Sequence, residues 1–391
     1  MNIDKRYPCI ADMEQTARRR IPRFLLEFVV NGLGGNVSVQ KNRDALHAVE
    51  LMPRYLSDAS NPDIRCTLFG QEYAAPFGVA PIGLSGLVWA NSERILATAA
   101  KQHNVAYTLS TMATITLEDA RTIAGENGWF QLYSPRDPAV MDDLLKRCRE
   151  AGYQNLLLTV DVPYTTRREH DIRNGFAIPP SFDLKTLWQI GSHPQWALHM
   201  AAAGVPDFIN LRPYFAEGQS RNKAKAIRAS TKFISGRFGG HVTAERFRYI
   251  RDRWPGNLLV KGVLDPGEAK TYLDLGADGL VISNHGGRQL DAAPAPAAAL
   301  PRIRATIGPD VPLVVDGGVR SGLDIARMIA LGANFVLMGR PFLYAVAALN
   351  RQGGDHVMKI LKAELQAAMG QIGCPTLKQL PEFLVQNDPR S

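Results

Sequence analysis

Eight short apolar runs, each closed by turn residues and separated from the next by a helix-length stretch, constrain this chain more than any other feature. They cover residues 77–80, 106–110, 129–133, 156–160, 258–261, 279–283, 312–316 and 335–338. Their near-continuous apolar character suits strands buried on both faces, and strands alternating with helices argue for parallel βαβ units. Eight such units close naturally into a barrel, so the expected class is α/β with a (β/α)8 TIM-barrel architecture. An internal echo agrees. Leu275-Gly276-Ala277-Asp278 leads into one run as Leu331-Gly332-Ala333-Asn334 leads into another two units later, each glycine well placed to end a helix. The competing architecture, an open doubly wound sheet, lacks a G-x-G-x-x-G after an early strand.

The rest of the chain is arranged around this rhythm as one expected domain, 1–391, with the barrel over about 76–345. A helix is expected over 12–28, stopped by Asn31-Gly32-Leu33-Gly34-Gly35, then an irregular, partly helical lead-in over 43–67. A closing amphipathic helix is expected over 352–369. Between the fourth and fifth runs the gap is far too long for one helix and two loops, which marks an insertion over about 179–240. It carries Phe182, Leu184, Leu187, Trp188, Ile190, Trp196, Leu198 and Met200, followed by Arg221, Lys223, Lys225, Arg228, Lys232 and Arg237. An apolar, tryptophan-bearing section beside a basic one is the pattern of a membrane-surface anchor; a lid or an oligomer contact is the alternative.

Composition narrows the partners. The formal charge of +8 suits an anionic substrate, a phosphorylated cofactor or an anionic membrane surface. The basic residues are scattered and form no nucleic-acid module, so no nucleic-acid partner is expected. Cys9, Cys66, Cys148 and Cys374 lie far apart without metal-ligand spacing, which predicts a reducing compartment and no metal site. Met1 to Ile10 has no apolar core of the secretory kind, and no run approaches the roughly eighteen apolar residues of a spanning helix. The expected location is therefore cytoplasmic, at most peripheral on the inner face of the cell membrane.

In barrels of this kind active groups project from the C-terminal ends of the strands. Those ends carry Ser110 and Thr111, Gln131 and Tyr133, Thr159 and Asp161, Lys261, Ser283 and His285, and Asp316. The sharpest signal is Leu280 to Leu290, where a buried strand ends in Ser283 and a glycine-bearing turn delivers His285 and Arg288 close together. A histidine can take a proton near neutral pH and an arginine can grip a carboxylate through two parallel hydrogen bonds. A base three residues from an anion clamp suits chemistry on a carbon next to a carboxylate. After the seventh run comes Asp316-Gly317-Gly318-Val319-Arg320, and after the eighth Gly339-Arg340, a pairing of exposed backbone N–H groups with positive charge where barrels bind phosphate. Substrate or cofactor would satisfy it equally.

The run Ser283-Asn284-His285-Gly286-Gly287-Arg288-Gln289-Leu290-Asp291 is the most specific of a set of motifs. With Leu158-Thr159-Val160-Asp161, Phe130-Gln131-Leu132-Tyr133, Val260-Lys261-Gly262 and Asp316-Gly317-Gly318-Val319-Arg320, it resembles the FMN-dependent L-2-hydroxy acid oxidising enzymes, among them glycolate oxidase, respiratory lactate dehydrogenase and mandelate dehydrogenase. The resemblance runs from about Asp12 to Cys374. His193-Pro194-Gln195-Trp196-Ala197 and Ala80-Pro81-Ile82-Gly83-Leu84 look most like the membrane-associated lactate and mandelate dehydrogenases.

The resemblance implies roles. His285 would be the base, taking the substrate's α-proton or its hydroxyl proton, with Asp161 orienting the imidazole. Arg288 and Arg168 would hold the substrate carboxylate and Tyr133 would hydrogen-bond the substrate. Lys261 would favour negative charge on the flavin; Gln131, Thr159, Ser110 and Ser283 would hold its ring, and the backbone of Ala80, Pro81 and Ile82 would line its reactive face. Asp316 would take the ribityl chain, and Gly317, Gly318, Arg320, Gly339 and Arg340 the phosphate. The family also implies a homo-oligomer, a tetramer, and reoxidation by quinone, another acceptor or O2.

Three departures bear on the details. Phe28 stands where the family usually has a tyrosine that hydrogen-bonds the substrate carboxylate, which predicts a bulkier, more apolar substrate than glycolate or lactate. Gly83 stands where oxidases often carry alanine, which leans towards a dehydrogenase. Ala244-Glu245 replaces a common tryptophan-aspartate pair that looks like scaffold. Outside this family, a phosphate-binding barrel isomerase or lyase, or a catalytically silent binding protein, would be the competing readings.

Overall fold

The computed structural model describes residues 2–175, 184–204, 206–215 and 238–385. Eight parallel strands close into a barrel: β1 (Phe77–Val79), β2 (Ala106–Ser110), β3 (Gly128–Tyr133), β4 (Asn155–Thr159), β5 (Asn257–Val263), β6 (Gly279–Ile282), β7 (Leu313–Asp316) and β8 (Phe335–Met338). Closure is made by β8 against β1, with Val336 opposite Phe77 and Met338 opposite Val79. All eight expected strands are present within a residue or two of their expected limits.

Each strand is followed by a helix whose start is written locally. Thr116, Asp137, Thr243, Asp265 and Ser321 each accept a backbone N–H from the first turn of the helix that follows, and Pro138, Pro266 and Pro296 occupy first-turn positions that need no donor. The internal echo is structural as well. Gly276 and Gly332 take φ of +98° and +106°. Asp278 and Asn334 each accept a hydrogen bond from the backbone of the preceding strand, at Leu258 and Leu313 respectively. Arg251 and Arg304, each on the helix leading into that preceding strand, grip the same glycine carbonyl and the same side chain in the two copies.

The barrel interior follows from the two-residue period of a strand. Inward positions begin apolar, at Ala106, Trp129, Leu157, Leu259, Val281, Val314 and Phe335, and form one buried cluster. Two residues further along, the same faces deliver Gln131, Thr159, Lys261, Ser283 and Asp316. The lower end is closed by an antiparallel hairpin, Cys66–Leu68 with Gln71–Tyr73. Its Tyr73 packs edge-on against Trp129 and Phe335, and its hydroxyl accepts the Trp129 indole N–H at 3.0 Å. One end of the barrel is thus an apolar plug and the other a polar mouth.

The lead-in differs from expectation. The single helix expected over 12–28 is two, α1 (Ile10–Arg20) and α2 (Arg23–Val30), because Pro22 cannot donate to a continuing helix. α3 (Val37–His47) begins ahead of the stretch over 43–67 expected to be irregular and partly helical, reaches into its first residues, and packs against the helices Pro296–Ile307 and Gly322–Ala330. The closing helix runs Arg351–Ile372, longer than expected.

The described part of the insertion contains α4 (Leu184–Gly191) and α5 (Pro194–Ala203). Leu184, Leu187, Trp188 and Leu198 are exposed, as a surface anchor requires. Trp196 and Met200 are buried instead: the Trp196 indole N–H reaches the carbonyls of Leu87 and Val88, and its ring meets Phe24 edge-on. Those two therefore seat the helical pair on the barrel. Phe182 and the basic residues Arg221 to Arg237 lie outside the described residues. No helix among the described residues is long and apolar enough to cross a membrane.

Candidate active site

The polar mouth opens on a cavity of about 500 Å³. Of the expected site residues it is lined by Phe28, Ala80, Pro81, Ile82, Gln131, Tyr133, Thr159, Arg168, Lys261, His285, Arg288, Asp316, Gly317, Gly318, Arg320, Gly339 and Arg340. Ser110, Asp161 and Ser283 stand just behind this wall, each bonded to a lining residue.

His285 sits on a turn that the sequence makes possible at one place. Its own φ is +57°, followed by Gly286 at +65° and Gly287 at +79°. A left-handed non-glycine residue stores of order 1–3 kcal/mol and persists where its surroundings hold it. Here Ser283 Oγ accepts the His285 backbone N–H at 3.0 Å, and Asn284, one residue before it, is clamped by Asn42 of α3 in a reciprocal amide pair of 2.9 and 2.7 Å. A Cβ on Gly287 would fall 2.8 Å from the Val39 backbone nitrogen, so glycine is required by the approach of α3.

The imidazole is held between two partners. Its Nδ1 lies 3.0 Å from Asp161 Oδ1 and its Nε2 3.3 Å from the Tyr133 hydroxyl. Burial alone would push Asp161 up, but the imidazole charge and hydrogen bond, with Lys261 beyond, hold it below the usual carboxylate range. Asp161 Oδ2 is buried with no hydrogen-bond partner among the described residues. Gly262, at φ +110°, lets this carboxylate in: a Cβ there would come within 2.5 Å of Asp161 Cβ. Burial, with Asp161 adding negative charge, pushes Tyr133 up to about 12, so its hydroxyl keeps its proton at neutral pH.

Behind the histidine, Lys261 Nζ lies 2.8 Å from Asp316 Oδ2 and donates to Ser283 Oγ at 2.9 Å, while Ser283 donates to Asp316 Oδ1 at 2.5 Å. Burial opposes the Lys261 charge, and Asp316 and Asp161 outweigh it, so the ammonium is retained. On the neighbouring strands, Ser110 Oγ donates to Gln131 Oε1 at 2.9 Å and Gln131 Nε2 to Thr159 Oγ1 at 2.8 Å. These two chains put donors and acceptors at the ends of six successive strands, β2 to β7.

The arginines show what the cavity is built to receive. Burial, with Arg168 and Arg340 close by, pulls Arg288 down to about 9. Burial and then Arg340 pull Arg320 down to about 10, and burial lowers Arg340. Guanidinium groups gathered this way are short of negative charge, and anions supply it. The Arg288 guanidinium carbon also lies over the Phe28 ring, 4.6 Å from its centroid, and the group donates to the carbonyls of Phe28 and Asn31.

Two of the expected phosphate residues also carry structural contacts. Three of the five Arg340 N–H groups go to the carbonyls of Val29, Gly286 and Asn31, bracing α2 against the histidine turn, and the guanidinium lines the cavity with its charge and its remaining N–H groups. The need for glycine at 318, at φ +87°, comes from the Asn42 carbonyl, 2.6 Å from where a Cβ would be. Sequence reasoning missed Met112, Val162, Thr165, Thr166, Phe208 and Phe238, which also line the cavity, and Asn42 behind the turn. The first six sit on loops without a motif. Asn42 carries no signal beyond being an amide in an amphipathic stretch.

The residues present fit a flavin mononucleotide: buried cations at one end for a phosphate, a row of amide, hydroxyl and ammonium groups for a polar ring edge, and apolar Ala80, Ile82, Leu337 and Leu343 for its flat faces. The comparisons agree. A model of the FMN-dependent dehydrogenases matches residues 17–387. The L-lactate dehydrogenase of Caulobacter vibrioides (strain NA1000 / CB15N) is 37% identical over 97% of this chain and 98% of its own length. That of Vibrio cholerae serotype O1 (strain M66-2) is 34% identical over 94% and 96%. Among solved structures, the monotopic membrane protein (S)-mandelate dehydrogenase superposes with a TM-score of 0.90 at 33% identity, covering 97% of this chain and 99% of that one. Mandelate oxidase superposes at 0.80 and 31%, covering 97% and 98%. This chain belongs to the FMN-dependent dehydrogenase family, the flavoenzymes of 2-hydroxy acid oxidation that its motifs resemble, and its cofactor is FMN.

Proposed function

We propose that this protein oxidises an L-2-hydroxy acid with a bulky or aryl side chain to the 2-oxo acid. The observation that carries the reading is the His285 imidazole, backed by Asp161 on one nitrogen and facing the cavity and Tyr133 with the other, in a cavity also lined by Arg288 and Arg168.

Arg288 and Arg168 bind the carboxylate of the acid, which fixes the adjacent carbon relative to His285. Nε2 of His285 takes a proton from that carbon or from its hydroxyl, and Asp161 stabilises the imidazolium that results. Tyr133, protonated at neutral pH, donates to the substrate. Lys261 would keep a positive charge at the cofactor, Gln131 and Thr159 would hold its polar edge with Ser110 fixing Gln131 from behind, and Asp316 would take its ribityl chain, with Ser283 fixing both Lys261 and Asp316. Arg320, the charge of Arg340 and the backbone of Gly317, Gly318 and Gly339 receive its phosphate. FMN, when bound, accepts the two electrons that leave the substrate.

The preference for a bulky acid is supported by Phe28, whose ring offers an apolar wall and no hydroxyl to the carboxylate. Lactate is the second reading, favoured by relatives named L-lactate dehydrogenase at 34–37% identity. For the acceptor, a quinone or another non-oxygen oxidant at a membrane surface is supported by exposed Leu184, Leu187, Trp188 and Leu198 and by the likeness to a monotopic membrane enzyme. At Gly83 a Cβ would come 3.2 Å from Met112 Cβ, so alanine there would displace Met112. A homotetramer is our reading of the assembly, on family resemblance, and light scattering tests it.

The test is anaerobic mixing of the holoenzyme with a panel of 2-hydroxy acids, followed at the flavin absorbance, then reoxidation with a quinone or with oxygen. Aryl acids are expected to bleach the flavin fastest, and His285→Ala to leave the colour while abolishing the bleach. A bleach at normal rate in that variant puts the base elsewhere. Stoichiometric oxygen uptake during turnover would make the protein an oxidase that forms H2O2.

A further inference from the structure

The insertion after β4 contains two kinds of surface within thirty residues. Its helices α4 and α5 expose Leu184, Leu187, Trp188 and Leu198, whereas the segment after them turns inward: Phe208 is 6% exposed and Asn210 and Leu211 are fully buried. Phe208 lines the cavity together with Val162, Met112, Phe28 and Phe238.

Asn210 explains why this segment lies where it does. Its Oδ1 accepts the Leu117 backbone N–H at 2.8 Å, its Nδ2 donates to the Ile115 carbonyl at 3.0 Å, and its own carbonyl accepts from Arg147 at 3.2 Å. Arg147 is in turn paired with Glu118 and bonded to the Tyr214 hydroxyl. A buried amide satisfied on both of its ends is a rigid fastening, since slipping by one residue would leave both groups unpaired in the interior. The fastening lies on the loop that follows β2, the same loop that carries Met112 into the cavity. Two residues before the clip, the aromatic ring is thereby fixed against the cavity.

We infer that Phe208, held by the Asn210 clip, is a specificity-determining residue: the insertion supplies the wall against which the side chain of an aryl-2-hydroxy acid packs. This rests on the substrate reading above and deepens it. The carboxylate is held at Arg288 and Arg168, so what lies beyond the reacting carbon is read by Phe208, Phe238, Val162 and Met112, an aromatic and apolar set that matches a ring and is oversized for a methyl group. Asn210 acts through Phe208 and is a positioning residue.

The test compares Phe208→Ala, Phe208→Leu and Asn210→Ala with the wild-type holoenzyme. One readout is the ratio of kcat/KM for 2-hydroxy-2-phenylacetate to that for lactate. The other is the ratio of dissociation constants for phenylacetate and acetate, measured calorimetrically without turnover. Removing one wall of an apolar pocket changes discrimination by about ten-fold or more. The alanine variant is expected to lose that much of the aryl preference in both ratios, the leucine variant less, and Asn210→Ala to raise KM for the aryl acid more than for lactate. Equal losses for both acids, or unchanged ratios in a leucine variant with wild-type stability, overturn the assignment. Failure of the substrate reading looks different: wild-type flavin is then bleached faster by lactate than by 2-hydroxy-2-phenylacetate, or by neither, while the phenylacetate and acetate constants still report whether Phe208 forms the wall.

Discussion

Replacing Asn42 with alanine should loosen the turn that carries His285, although Asn42 lies on a helix outside the barrel and touches no reacting group. The Asn42 and Asn284 amides are both buried and exchange two hydrogen bonds, at 2.9 and 2.7 Å. At about 0.5–1.5 kcal/mol net for each bond, truncation costs roughly 1–3 kcal/mol. It stops short of the full penalty of stranded groups, because Asn284 keeps the Pro294 carbonyl as acceptor at 3.2 Å and the Gly287 N–H as donor at 3.2 Å. The freed amide lets His285 relax from its left-handed φ of +57°, moving Nε2 relative to Tyr133 and the arginines. A rise of about 1.4 kcal/mol in the barrier is ten-fold in rate, and kcat should fall by that order. The assay is urea unfolding at saturating FMN, so that cofactor linkage is equal in both proteins, alongside single-turnover flavin reduction. Asn42→Asp is the sharper control: a carboxylate can accept from Asn284 Nδ2 but cannot donate to its Oδ1, so it should be at least as damaging at neutral pH. An alanine variant within about 0.5 kcal/mol of wild type and within two-fold in rate would refute the reasoning, since that is the range of inconsequential surface changes.

Asp161→Asn removes the charge that faces His285 Nδ1 at 3.0 Å and should slow flavin reduction by about 10- to 150-fold, the rate equivalent of the 1.5–3 kcal/mol of a charged hydrogen bond. The same carboxyl has a folded pKa held below its unfolded value, so its contribution to stability is present above the unfolded carboxylate range and is lost as pH falls through the folded value; acid titration of Asp161→Asn should show a flatter stability curve there than wild type. Arg320→Ala should weaken FMN retention by about ten-fold or more, read as flavin content after dialysis, because it removes a charge-assisted phosphate contact of about 1.5–3 kcal/mol. Phe28→Tyr should raise kcat/KM for lactate several-fold relative to the aryl acid, on the order of the 1 kcal/mol net of a restored hydrogen bond; no gain in that ratio would remove Phe28 from the specificity argument.

Most of the site was legible because it lies on strand ends. Once eight apolar runs imply a barrel, the two-residue period puts Gln131, Thr159, Lys261, Ser283 and Asp316 in one ring, and the histidine motif adds His285 and Arg288. Nothing in those motifs reveals what stands behind them. Asn42 is remote in sequence from Asn284 and reads as one polar residue among many; Arg340 reads as a phosphate ligand yet braces three carbonyls. Trp196 counts towards a membrane-facing stripe by composition, while its indole N–H is spent on the barrel. The stretch 12–28 reads as one helix, and the missing donor of Pro22 divides it into two.

What the sequence determined by itself is whatever local periodicity and strand-end chemistry encode: the barrel, the polar mouth and the groups of the proton-transfer centre. What only the tertiary structure decided is which distant loops meet over that mouth, among them α3 on the histidine turn and Phe208 on the cavity. Such contacts depend on closure between segments far apart in sequence, some 240 residues at Asn42 and Asn284, and a buried amide carries no mark of its partner until the chain has folded.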